Sequence, residues 1–328
     1  MDEPSRQELE AAHCWEADDR VPGRPQMTAF RRRLRLHQAR WREAHGHPIG
    51  SQPIVPRKGT ATRLVGSRMP LAYAQETGAN FVTAGAQAAA RTRAENPEPH
   101  QRFDHQRLWA DLLWSPTLAF NLFGDLAADL SLADRAVHTW WPDAPGTVCE
   151  IRFEHSPGRF DPAYLGSLRS FDAAFVLDLH DGTRGIVAID VEYHDRAKPA
   201  TAKPAGRPLQ RKIARRSGIF HRGAIDAADK TSLLVTSLEH LLLLSMLQHK
   251  SGRWSWGRYV VVYPAGNSDF AAVCTRYAEL LTEHTSFAAI TLEQLLHTGA
   301  LPAKTRATLR KRFCASDCAA STPDEKPT

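Results

Sequence analysis

Between Phe171 and Asp195 the chain reads FDAAFVLDLHDGTRGIVAIDVEYHD, two runs rich in Phe, Val, Leu and Ile separated by the turn residues His180 to Arg184. This spacing predicts a hairpin with strands over 171–179 and 185–193. Side chains alternate between the two faces of a strand. Phe171, Ala173, Phe175, Leu177 and Leu179 therefore share one face, and Asp172, Ala174, Val176 and Asp178 the other. In the second strand Val187, Ile189, Val191 and Tyr193 lie opposite Ala188, Asp190 and Glu192. A turn centred near Gly182 sets Asp172 across from Glu192, with Asp190 beside it. Three crowded carboxylates repel and shift toward protonation unless a cation joins them. An all-oxygen donor set suits Mg2+ or Mn2+ better than zinc. The plainer alternative is that these acids sit at strand ends in water, as acids commonly do.

The length of 328 residues suffices for one large domain with an accessory region. A net charge of +6 leans toward a polyanionic partner without locating it. Five cysteines are scattered with no Cys-x-x-Cys pair, which argues against a zinc site and for a reduced, cytoplasmic setting. No apolar run reaches membrane-spanning length, and the N-terminus is too acidic for a signal peptide, so no membrane association is expected.

In chain order, residues 1–24 read as a polar tail and 25–100 as a basic helical and irregular extension. Residues 101–313 read as the core and 314–328 as a disordered tail. A helix from Met27, capped by Thr28, carries Phe30, Leu34 and Trp41 as an apolar stripe. Its other faces hold many arginines, of which Arg31, Arg32 and Arg35 are candidates for phosphate contact; a solvated basic face is the bland alternative. His45 to Pro70, rich in Gly and Pro, reads as a linker or irregular arm. The helical run Asp104 to Trp141 carries core aromatics. Thr147 to Glu154 is a further strand, whose Glu150 or Glu154 could add a carboxylate or instead pair with Arg152 or Arg159. Residues 196–222 contain nine Arg or Lys and no Asp or Glu. In this segment Arg207, Arg211, Lys212, Arg215 and Arg216 are the expected nucleic-acid contacts, beside the acidic strand end where a phosphodiester enzyme would need them. A buried helix over Asp229 to Gln248, a strand over Arg258 to Tyr263, a short strand near 286–290 and a basic helix over 304–313 complete the chain.

The order of helices, three strands with acids on the second and third, a buried helix and a fourth strand resembles the PD-(D/E)xK, restriction-endonuclease-like nuclease superfamily. The stretches LWADLL, FNLFGDLAADL, WWPDAPGTV, IRFEHSPGR, LLLLSMLQH and WGRYVVVYPAGN are similar to bacterial proteins described as restriction endonucleases. The resemblance runs from about Phe30 to Phe313. It implies an α/β fold, a mixed central sheet flanked by helices with a helical N-terminal extension. It further implies a metal-dependent endonuclease that hydrolyses DNA phosphodiester bonds with Mg2+ or Mn2+. Asp172 and Asp190 take the metal-binding places, and Glu192 stands where lysine is expected, as metal ligand or general base. Glu154 and Lys198 are accessory candidates, Lys198 or Lys203 supplying the missing positive charge. A polar Gln that relatives carry near the start of the buried helix has no counterpart in Leu234 to His240. These departures support a second expectation: a catalytically inactive nuclease fold kept as a nucleic-acid-binding or interaction module. A different metal hydrolase is the weakest reading, because His155, His180, His194 and His221 show no zinc spacing. Oligomeric state stays open, a homodimer included.

Overall fold

The hairpin lies at the centre of a five-stranded sheet. The computed structural model describes residues 3–15, 29–53 and 61–314. A small antiparallel pair, β1 (Gly50–Pro53) with β2 (Thr62–Val65), lies within the stretch 45–70 expected to be irregular. The main sheet has the order β3 (Thr147–His155), β4 (Phe171–Asp178), β5 (Arg184–Val191), β6 (Trp254–Tyr263), β7 (Phe287–Thr291). β3, β4 and β5 form an antiparallel meander, whereas β5, β6 and β7 run parallel. Parallel neighbours need crossovers, supplied by the helices Leu234–Leu247 and Ser268–Ala278.

β4 and β5 are apolar on both faces because both faces are covered. Phe175, Leu177, Val187, Ile189, Val260 and Val262 meet the helix Ser115–Ala128 through residues such as Phe120 and Phe123. Ala174, Ile186, Ala188, Tyr259 and Val261 meet the helix Leu234–Leu247 through Leu241, Leu242 and Leu244. Each such Leu or Phe contributes about 1.5–3 kcal/mol by leaving water. The helix Leu234–Leu247 starts later than the Asp229 expected, since Thr231 Oγ1 accepts the Leu233 N–H at 3.1 Å and turns the chain just before it. β6 begins at Trp254, four residues before the predicted Arg258.

Part of the polar N-terminal stretch is helical: Arg6–Ala11, capped by Ser5, buries Leu9 and Cys14 against Leu36 and Ala39 of the helix Ala29–Ala44. The Thr28 cap and the tail beyond 314 lie outside the described residues. Opposite ends of the chain meet. Gln38 Nε2 donates to the Arg312 carbonyl at 2.8 Å and to the Tyr193 hydroxyl at 2.7 Å. Arg312, buried over the Trp41 ring at 4.1 Å, donates to the carbonyl and Oδ1 of Asn80 at 2.8 and 2.6 Å. Among the described residues no helix is long and apolar enough to cross a membrane.

Candidate active site

β4 pairs with β5 so that Ala173 faces Ile189, and continuing that register brings Asp172 opposite Asp190. The predicted partner was Glu192, two residues further on. A two-residue slip preserves the side-chain period, so the faces are as expected and only the partner changes. On the other side, β3 pairs Phe153 with Ala173 and His155 with Phe171, which sets Glu154 opposite Asp172. Glu154, Asp172 and Asp190 thus form one row across three adjacent strands. The row lies on the face covered by the helix Leu234–Leu247. Asp172 Oδ2 accepts the Val191 N–H at 2.8 Å, and Tyr259 of β6 donates its hydroxyl to Asp190 Oδ2 at 2.8 Å.

The acids of this row, and Glu192 next to it, hold protons well. Burial, then the charges of Glu154 and Asp190, push the Asp172 carboxyl well above the ordinary range. Burial also raises Glu154, whereas its contact with the Asp172 carboxyl lowers it and raises Asp172 further. Asp190 is raised by burial and by Glu239, against the pull of Tyr259 and Arg169. Glu192 is raised by burial and by Asp195, Asp190 and Asp172.

Glu154 has φ +48°, a backbone conformation costly for a residue with a side chain. It is held there by Arg159 and Arg93, which donate to its carbonyl at 2.7 and 3.3 Å. Both arginines are in turn anchored by Glu98, which also bonds His155 at 2.7 Å and the Ser156 N–H at 2.9 Å. Arg159 therefore pairs with Glu98 and grips the Glu154 backbone. Glu150 does form the pair weighed for it, with Arg152 at 2.6 Å, and stays out of the row.

The chain leaving β5 is pinned residue by residue. The Tyr193 N–H donates to Ser115 Oγ at 3.0 Å, and Ser115 also bonds the Asp195 carboxylate. Asn267 donates to the carbonyls of Glu192 and Asp195 at 3.4 and 3.2 Å. Arg31 Nε donates to the His194 carbonyl at 2.9 Å. This corrects the reading of the arginine-rich helix. Arg31 and Arg35 are buried, and Arg32 pairs with Glu3 and lies over Trp15, so none is presented as a bare phosphate contact.

The basic segment after Asp195 is, from Arg207, a docked helix, Arg207–Ser217, that turns Gln210, Ile213 and Ala214 inward. Arg207 pairs with Asp229 at 2.6 Å and Arg211 with Asp226 at 2.7 Å, while Lys212, Arg215 and Arg216 are exposed. Lys198 and Lys203 are exposed too, and neither figures among the leading influences on Asp172, Asp190 or Glu192.

Three residues at the site escaped the sequence reading: Glu239, Arg169 and Tyr259. The buried helix does supply a polar group, Glu239, whose Oε1 accepts from Arg169 Nη1 at 2.6 Å. A charged residue inside a run of leucines was the available signal. Tyr259 reads as one more aromatic of a core strand, and Arg169 as a loop arginine.

Among the described residues no three His, Cys, Asp or Glu side chains are gathered into a ready-made metal-ligand set. The acids are aligned without converging. Their chemistry nevertheless fits a hard divalent cation: every donor is oxygen, their mutual repulsion is only partly offset, and Glu239 Oε2 is buried without a hydrogen-bond partner.

A mixed five-stranded α/β sheet flanked by helices, with acids on its two central antiparallel strands, is consistent with the restriction-endonuclease-like class. The family model of the PD-(D/E)XK nuclease superfamily matches residues 19–315, and the chain belongs to that superfamily. No curated protein and no solved structure matches it. Membership supports a nuclease-type function, and nucleases of the superfamily generally use divalent metals.

Proposed function

We propose that the chain is a metal-dependent endonuclease that hydrolyses DNA phosphodiester bonds. The observation that carries this reading is the row Glu154–Asp172–Asp190, with Glu192 two residues beyond, all pushed toward protonation. Asp172 and Asp190 would hold Mg2+ or Mn2+, the Asp172 carboxyl losing its proton as it does so. A divalent ion held there supplies Lewis-acid polarisation of the scissile phosphate and a more acidic water. The chain's own residues do the rest. Tyr259 fixes one Asp190 oxygen, the Val191 N–H fixes one Asp172 oxygen, and Glu192, raised by burial and its acidic neighbours, would accept the proton of the attacking water. Lys212, Arg215 and Arg216, exposed on the helix Arg207–Ser217, would follow a phosphate backbone.

Calorimetric titration with Mn2+ and cleavage of plasmid DNA test this together. Wild type should bind the ion and cut, and Asp172→Asn and Asp190→Asn should do neither. A wild type that binds DNA in a salt-dependent way yet takes up no Mg2+ or Mn2+ would support the second reading, an inactive fold kept for binding. What favours that reading is the lack of three convergent ligands among the described residues, together with Glu192 at the lysine position.

A further inference from the structure

The candidate site gathers acids where a polyanionic substrate must be received, and each of them that ionises repels a phosphate. Glu154, Asp172, Asp190, Glu192 and Glu239 all bear on one face of the sheet, and Asp195 adds to them. Glu154 has its own arginines, Arg93 and Arg159, but these are turned to its carbonyl and to Glu98. Toward Asp190 and Glu239 the cation that acts is Arg169.

Arg169 lies in the connection just ahead of β4, three residues before Asp172. Its side chain is 32% exposed, whereas that of its partner Glu239 is 8% exposed. The guanidinium is thus anchored through Nη1 on a side chain that keeps about a third of its surface in solvent. A guanidinium has five N–H donors. Among the described residues only Glu239 takes a hydrogen bond from this one. An anchored, partly exposed arginine beside a row of acids suits a phosphate clamp.

We propose that Arg169 is the phosphate-facing cation of this site, with Glu239 as its positioning residue. This rests on the endonuclease reading and names the group that admits the DNA strand to the acidic row. Arginine stays protonated, so it stabilises charge and moves no proton, and water activation remains with the carboxylates.

Four variants test the assignment: Arg169→Met, Arg169→Lys, Glu239→Gln and the double variant Arg169→Met/Glu239→Gln. The first readout is metal-free binding of a fluorescent 20-base-pair duplex over a range of salt concentrations. Arg169→Met should weaken binding and reduce the log–log salt slope by about 0.9, one phosphate contact. The second readout is cleavage in Mg2+, where Arg169→Met should lower kcat by about 10²–10³-fold. Arg169→Lys should recover at least about tenfold of that loss, because the charge remains.

The double variant separates function from structure. It removes both charges of the pair, so thermal stability should return toward wild type while cleavage stays low. If cleavage returns with stability, Arg169 merely neutralises Glu239 and the assignment is overturned. An unchanged salt slope in Arg169→Met overturns it as well. A wild type that neither binds metal nor cuts defeats the endonuclease reading instead, and the metal-free slope still judges Arg169 alone.

Discussion

Tyr259 and Asp190, on neighbouring parallel strands, are joined by a 2.8 Å hydrogen bond in which the phenol donates to Oδ2. Burial and the Asp190 charge keep that phenol protonated. Tyr259→Phe removes a donor that favours the Asp190 carboxylate, so Asp190 should hold its proton to still higher pH. Mn2+ binding followed by calorimetry should then need a more alkaline solution to reach half-saturation. The buried acceptor left behind should cost about 1–3 kcal/mol in a denaturant titration. An unmoved pH midpoint would mean that Asp190 does not bind the ion.

Asp172, raised in the folded protein by burial and by its acidic neighbours, links metal-free stability to pH. A carboxyl with a raised folded pKa contributes its stability fully below the unfolded value of about 4, and that contribution is lost as pH rises through the folded value. Asp172→Asn should therefore stabilise the metal-free protein at pH 8 by about 1 kcal/mol, and this advantage should shrink toward pH 5. The comparison is made with wild type at each pH, because buried His155, His194 and His240, all lowered by burial, act in the opposite sense below about pH 6.5. A variant less stable than wild type at pH 8 would show that the acids are not in conflict.

Arg31 and Arg216 should behave differently although both were read as phosphate contacts. Arg31 is buried on the His194 carbonyl, so Arg31→Ala should cost about 1.5–3 kcal/mol and lower cleavage without altering the salt slope of DNA binding. The exposed Arg216 should, on mutation to Ala, leave stability almost unchanged and reduce the slope by about 0.9. Anisotropy titrations at several salt concentrations distinguish the two, and equal slope changes would contradict the assignment.

Glu98 holds the strained turn at Glu154. Burial opposes its charge, but His155, the Ser156 N–H and Arg93 hold its carboxyl down at about 2. Its stabilisation is present above the unfolded pKa of about 4.3 and is lost as pH falls toward 2. Glu98→Ala leaves the partly buried Arg93 and Arg159 without their carboxylate, which should cost about 3–5 kcal/mol. It should also weaken Mn2+ binding, because Glu154 is no longer held against Asp172. Urea unfolding and calorimetry read the two effects, and a loss under 1 kcal/mol would show that the turn holds itself.

The strands were legible because each carries a local signal, alternation in β4 and β5 and an apolar run in β6. Asp172 and Asp190 could be placed on one face from that period alone. Their register could not, since a slip of two residues keeps every face and leaves the pattern unchanged; Glu154 as the third member of the row followed only from the pairing of β3. Arg169 and Glu239 lie seventy positions apart, and no periodicity links a loop arginine to a helix glutamate. The arginines of the helix Ala29–Ala44 misled because charge count says nothing of direction. Arg31 and Arg35 point inward, Arg31 to the carbonyl of His194, remote in sequence.

Gln38 touches both Tyr193 and Arg312, which gives the order of synthesis a part in finishing the site. A nascent chain whose residue 312 is still inside the ribosome has made β5 and its acids but lacks one of the two acceptors that orient Gln38 against Tyr193. The segment carrying Glu192 is braced last, by a helix translated more than a hundred residues after it.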